Sequence, residues 1–154
     1  MYNEEKSGSL YYVTIKETAG RILLYLYQLQ RTSPASMQSR QLGFINKPDD
    51  RLALTSDKKW LTHDLLDLGS QVSGVFNGFT FLIDKGYIRA EERANKDARI
   101  YVGIRLTADG IDVVESVEMG NAGREMFAAT FNIATDSGTN VETLIKANVT
   151  DLLK

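Results

Sequence analysis

The chain has 154 residues, of which 43% are hydrophobic and 25% are charged, and this composition fits one globular domain with an appended segment. It contains no cysteine and a single histidine, His63, so a disulfide framework and thiolate chemistry are excluded and a zinc site lacks nitrogen and sulfur ligands. The net charge is −2, but residues 31–105 carry 12 basic and 9 acidic side chains while residues 106–154 carry 3 and 8. Any basic surface is therefore expected in the middle of the chain.

The sequence contains no pattern typical of an enzyme, a secreted protein or a membrane protein. It has no Walker-type glycine loop, no dinucleotide fingerprint and no nucleophile, base and orienting group at recognisable spacing. We therefore expect no catalytic residue, no cofactor and no metal. The N-terminus lacks a signal-peptide pattern and no stretch approaches the length of a membrane span, so we expect a cytoplasmic protein without a membrane partner.

The first predicted helix is apolar on nearly every side. One set of apolar residues recurs at helical spacing: Ile15, Ala19, Ile22, Leu23 and Leu26. Leu24, Tyr25 and Tyr27 occupy the other side. The tyrosines can line a ligand pocket or, as their density favours, belong to a core or interface. A helix of this kind must be buried on both sides, which fits a position between its own domain and the partner chain of a homodimer.

A second, short helix is expected over Pro34–Leu42. Ser33 and Pro34 have the residue types of an N-cap and first helical position, and Gly43 is predicted to stop the helix. The following residues 44–59 have no firm periodicity, which predicts a loop with at most a short strand.

A pair of helices follows, separated by a glycine. Thr62 can cap a helix that carries Leu65 and Leu68, and Gly69-Ser70 ends it and can cap the next. The second helix is predicted over residues 70–85. Its apolar stripe at helical spacing consists of Val72, Val75, Phe76, Phe79, Leu82 and Ile83.

Two strands and another helix come next. Tyr87–Arg93 and Arg99–Leu106 predict a hairpin across a polar turn. The second strand alternates: Ile100, Val102, Ile104 and Leu106 are expected on one face, and Arg99, Tyr101, Gly103 and Arg105 on the other. Thr107 can cap a helix with Ile111, Val114 and Val117 at a spacing of three.

The C-terminal part is predicted to contain a strand and a helix after a hinge at residues 120–123. Phe127, Ala129, Phe131 and Ile133 alternate as in a strand, and residues 139–142 match a capping box before an amphipathic helix. Such an extension cannot bury itself and is expected to pack on the main domain or on a second subunit. We therefore divide the chain into residues 1–119 and an extension of residues 120–154.

The order helix, glycine turn, helix, two-stranded wing and helix resembles the winged helix-turn-helix superfamily, in the manner of MarR-like and PadR-like bacterial DNA-binding regulators. The strings that carry the resemblance are Leu61-Thr62 to Leu68-Gly69, Lys85-Gly86-Tyr87-Ile88 and Leu106-Thr107-Ala108-Asp109-Gly110. It implies an α+β, mainly α fold with the core helix-turn-helix and wing at residues 60–107. It also implies a transcriptional regulator, or a plasmid or phage DNA-binding protein, that binds double-stranded DNA as a homodimer.

The resemblance places helix 70–85 in the major groove and the wing, residues 87–106, on the DNA backbone. The groove-facing residues it implies are Ser70, Gln71, Ser73, Gly74 and Asn77. The wing residues it implies are Arg93, Lys96 and Arg99, which would contact phosphates or the minor groove. The helix has no Arg or Lys before Lys85, and this leaves a second hypothesis, a winged helix that binds a protein partner and not DNA.

Two glycines four residues apart, Gly74 and Gly78, interrupt the proposed recognition helix. Each costs about 1 kcal/mol relative to alanine in a helix, which demands a reason. Close approach of DNA or of another helix is one reason, and relief of local crowding is the other.

Overall fold

The computed structural model describes residues 14–46, 52–54, 65, 72–94 and 97–133. The helices are α1 (Ile15–Thr32), α2 (Pro34–Ser39), α3 (Val72–Asp84), α4 (Ala108–Glu115) and α5 (Asn121–Thr130), with a 3₁₀ turn at Ser116–Met119 between the last two. The strands are β1 (Leu42–Asn46), β2 (Leu52–Leu54), β3 (Ile88–Ala94) and β4 (Ala98–Leu106). The predicted α+β, mainly helical class is confirmed.

The hairpin β3–β4 is part of a larger antiparallel sheet with the strand order β2-β1-β4-β3. Strand β1 pairs with β4, so that Leu42 lies opposite Tyr101 and Phe44 lies opposite Arg99. The prediction that Gly43 stops a helix was wrong: α2 ends at Ser39, and Gly43 lies inside β1. The strand prevails because it buries both Leu42 and Phe44 on one face of the sheet.

Helix α1 is buried on both sides within a single chain. Its first turn is capped by Thr14, whose Oγ1 accepts a hydrogen bond from the backbone N–H of Glu17 at 3.0 Å. Helix α3 packs along one side of α1, and Phe131 lies against Gly20 on another. The chain itself therefore covers most of the apolar residues of α1.

The segment predicted as a strand over residues 127–133 is instead the end of helix α5 and the turn after it. Phe127 and Phe131 are four residues apart, so a helix places them on one face, and their ring centroids are 4.7 Å apart. Ala128 is buried and Ala129 is exposed, contrary to the alternation of a strand. The predicted capping box and helix at residues 139–152 lie outside the described residues.

A bulge at Gly103 divides β4 into two halves. Arg89 pairs with Arg105 and Glu91 with Val102, so β4 contains one more residue than β3 over this interval. Gly103 has φ 63°, the left-handed conformation that glycine adopts in such bulges. As a result, the side chains of residues 99–102 face the side of the sheet opposite to the one that simple alternation from residues 104–106 would give.

The sheet has an inner face, which packs on α1 and α3, and an outer face. Ile104 and Leu106 are buried on the inner face as predicted, but Tyr101 is buried there too, in place of Ile100 and Val102. The predicted alternation is thus correct for residues 104–106 and wrong for residues 99–102, because the extra residue of the bulge exchanges the two faces of the strand.

Candidate nucleic-acid interface

Helix α3 presents a polar face away from the core. Ser73 and Asn77 are exposed and Gly74 is half-buried, while the opposite side of the helix is buried at Val75, Gly78, Phe79 and Leu82. Three of the residues predicted to face DNA therefore share the outward side of α3. Ser70 and Gln71 lie outside the described residues, as does the preceding predicted helix apart from Leu65, which is helical and buried.

Aromatic contacts fix α3 on the inner face of the sheet. The Phe79 and Tyr101 ring centroids are 5.0 Å apart, and Phe76 meets Phe44 edge-on with centroids 5.1 Å apart. On its other flank α3 approaches α1 closely at Gly78, where a Cβ atom would lie 3.1 Å from the backbone nitrogen of Ala19. Gly78 is therefore explained by helix packing.

The predicted wing cations do not act as one group. Arg93 pairs with Ile100 on the outer face, whereas Arg99 lies opposite Phe44 on the inner face. The Arg99 guanidinium carbon is 5.6 Å from the centroid of the Phe76 ring on α3. A contact of this length is a cation–π interaction that contributes about 0.5–1 kcal/mol at an exposed site. The structure thus brings Arg99, and not Arg93, to the proposed recognition helix.

Arg93 is engaged elsewhere. Its Nε donates a hydrogen bond of 3.2 Å to Oε2 of Glu91, and both side chains are 66% exposed. An ion pair in this setting contributes little to stability and can exchange for another anion. Lys96, the third predicted wing cation, lies outside the described residues.

Tyr101 is a buried residue of the inner face that interacts with Arg99. Burial raises the pKa of Tyr101, the charge of Glu92 acts in the same direction, and Arg99 acts in the opposite direction. Glu92 therefore places a negative charge close to the phenol of Tyr101. Negative charge here weakens the attraction of the hairpin for phosphate.

Two arginines of the hairpin were not among the site residues predicted from the sequence. Arg89 and Arg105 lie directly opposite one another on the outer face of the hairpin, and both are exposed. The alternation placed Arg105 on a solvent-facing side, but only the strand register pairs it with Arg89. Predicting this pair would have required the register of the hairpin, including the bulge at Gly103.

No group of three or more potential metal ligands occurs among the described residues, and no helix in the same part of the chain has the length and apolarity to cross a bilayer. His63 lies outside the described residues. Comparisons of the chain with protein-family models, with curated proteins and with solved structures found no match.

Proposed function

We propose that the protein is a winged-helix regulator that binds double-stranded DNA through the outward face of α3 and the adjacent hairpin. The observation that carries the proposal is the polar row of Ser73 and Asn77 beside a guanidinium group, Arg99, that Phe76 holds against the same helix. An exposed polar helix face flanked by a cation suits binding in the major groove.

The chemistry of each side chain defines its role at the DNA. The amide of Asn77 can donate to and accept from adenine, and the Ser73 hydroxyl can bind a base edge or a phosphate. Arg99 supplies a phosphate contact, which orients the protein without reading sequence. Because the described face of α3 contributes no cation, we expect weak nonspecific binding with a modest dependence on salt.

The first experiment is fluorescence anisotropy of labelled random duplex DNA at roughly 50 and 200 mM salt, the range over which phosphate contacts lose affinity. We expect binding at the lower concentration that weakens at the higher. The variant Arg99→Ala is expected to bind less tightly to every duplex, and Lys16→Ala, which removes an exposed cation from α1, serves as the control. The absence of binding at 50 mM would reject the proposal.

A protein partner is the second candidate, and Asp84 is the observation that favours it. Asp84 is exposed and follows Ser73 and Asn77 at helical spacing, so the outward face of α3 ends in a negative charge. Such a charge repels phosphate but suits a basic protein surface.

Charge reversal distinguishes the two candidates. If α3 faces DNA, Asp84→Lys should tighten duplex binding severalfold, whereas the same reversal at the exposed Glu118, outside α3 and the hairpin, should have a smaller effect. Equal effects of the two variants would show that α3 is not the DNA-contacting element and would favour the protein partner.

The proposal includes a homodimer, since two recognition helices about one DNA turn apart would bind a palindromic site. We expect the dimer contact to lie away from the buried residues of α1, which the chain itself covers. Sedimentation velocity at the concentrations used for DNA binding tests it, and a monomer throughout would restrict the protein to single half-sites.

A further inference from the structure

Arg89 and Arg105 are held in an unfavourable arrangement. They are directly opposite in the β3–β4 ladder, so their side chains leave the same face of the sheet with Cβ atoms about 5 Å apart. Like charges placed directly opposite on neighbouring strands destabilise a hairpin. An anion bound between them would remove that repulsion.

No carboxylate among the described residues neutralises the pair. The acidic residue nearest in sequence on the outer face, Glu91, forms its ion pair with Arg93. Arg89 also borders a cleft that contains Asp109, but no ion pair joins these two side chains in the described part of the chain. The two guanidinium groups thus keep their hydrogen-bond donors available for a ligand.

The bulge leaves open space beside the two arginines. Gly103 has no side chain, and a Cβ atom built on it would meet nothing within 4 Å. The two arginines, Gly103 and Val102 border a shallow depression of about 450 Å³ on the outer face, and Glu91, whose carboxylate is paired with Arg93, borders it as well. A small oxyanion can enter this depression and reach both guanidinium groups.

We propose that Arg89 and Arg105 bind a phosphate group between them. A guanidinium group donates two parallel hydrogen bonds to phosphate oxygens, so two opposed arginines can bind one phosphate from both sides. The site is on the sheet face opposite α3 and goes beyond the proposed contact of α3 with DNA. The ligand is a phosphate group, either free or as a phosphodiester of a nucleic acid backbone, and the experiment separates these sources.

The variant Arg89→Ala/Arg105→Ala removes the pair, and Lys16→Ala/Arg31→Ala is the matched control because it removes two exposed cations from α1. The first measurement is the melting temperature in potassium phosphate and in potassium chloride of equal ionic strength. With phosphate at ten times its Kd, we expect the wild-type chain and the control to melt about 3 °C higher in phosphate, and the Arg89/Arg105 variant to show no difference. The same rise in all three proteins would overturn the proposal.

The melting temperature in chloride alone tests whether the arginines serve the fold. The Arg89/Arg105 variant should melt at the same temperature as the wild-type chain or higher, since a repulsion is removed. A melting temperature several degrees lower would show that the arginines stabilise the hairpin and would overturn the proposal.

The source of the phosphate is found from the salt dependence of duplex binding. Each phosphate contact contributes about −0.9 to the slope of log K against log salt. If the Arg89/Arg105 variant has a shallower slope than the wild-type chain and the control does not, the site binds the nucleic acid backbone. If the slope is the same in the variant and the control, but phosphate raises the melting temperature of the control and not of the variant, the ligand is a free phosphate. If the variant and the control show the same phosphate-dependent rise in melting temperature, the proposal is wrong whatever the slope. A wild-type chain that binds no duplex would reject the DNA proposal alone, because the melting experiment contains no DNA.

Discussion

The two sides of α1 are buried in different ways. On one side α3 approaches through Gly78, and the helical stripe of residues 72–83 predicted that α3 has an apolar face packed in the core. On the other side Phe131 lies on Gly20, although its segment was predicted to be a strand. The difference teaches that an apolar pattern predicts burial, whereas the element that provides the burial depends on the tertiary fold.

The largest effect should come from removing the α5-side contact. Phe131 is fully buried against Phe127 and Tyr87, so Phe131→Ala should lower the free energy of unfolding by about 3–5 kcal/mol. The control is Phe81→Ala at a half-buried phenylalanine, which should cost clearly less. Urea denaturation measures both. Equal losses would show that α5 does not contribute to the core as described.

Alanine at the two glycines compares the sides of α1 directly. A Cβ atom at Gly20 would lie 2.8 Å from the Cβ of Phe131, whereas at Gly78 the nearest atoms are 3.1–3.3 Å away. Both changes gain about 1 kcal/mol of helix propensity. We expect Gly20→Ala to lose about 1–3 kcal/mol from overpacking and Gly78→Ala to remain within about 1 kcal/mol of the wild-type chain. Chemical denaturation tests this order, and a more harmful change at Gly78 would reverse the comparison.

A smaller effect is expected where α1 contacts α4 through a hydrogen bond. The Tyr27 hydroxyl donates to Oε2 of Glu115 at 2.6 Å. Burial, the hydrogen bond to Glu115 and the charge of Glu115 raise the pKa of Tyr27 to about 12. Tyr27→Phe should therefore cost about 0.5–1.5 kcal/mol near pH 8.

The same variant has a defined dependence on pH. Because the folded pKa of Tyr27 lies above the unfolded value of 10.0, its contribution is complete below pH 10 and is lost as the pH rises towards 12. The difference in unfolding free energy between the wild-type chain and Tyr27→Phe should shrink between pH 8 and pH 11. A constant difference over that range would contradict the assigned cause.

The hairpin shows how far the candidate site could be predicted. Alternation and turn residues predicted both strands, and the resemblance together with the apolar stripe of helix 70–85 predicted the outward residues Ser73 and Asn77. They could not predict that Arg93 and Arg99 lie on opposite faces, because that depends on the register in which Arg93 pairs with Ile100, the neighbour of Arg99. Nor could they pair Arg89 with Arg105, since strand register is a relation between two distant segments.

What the sequence by itself determined is local: helices α1, α3 and α4, the Thr107 cap, whose Oγ1 accepts from the N–H of Gly110 at 3.0 Å, and the hairpin. Only the tertiary structure decided that Gly43 lies in a strand, that residues 121–130 form a helix and that Arg99 rests on Phe76. The physical reason is that Phe127 and Phe131 satisfy a strand spacing and a helix spacing equally. The contacts with Gly20 and Tyr87, far away in the chain, select the helix.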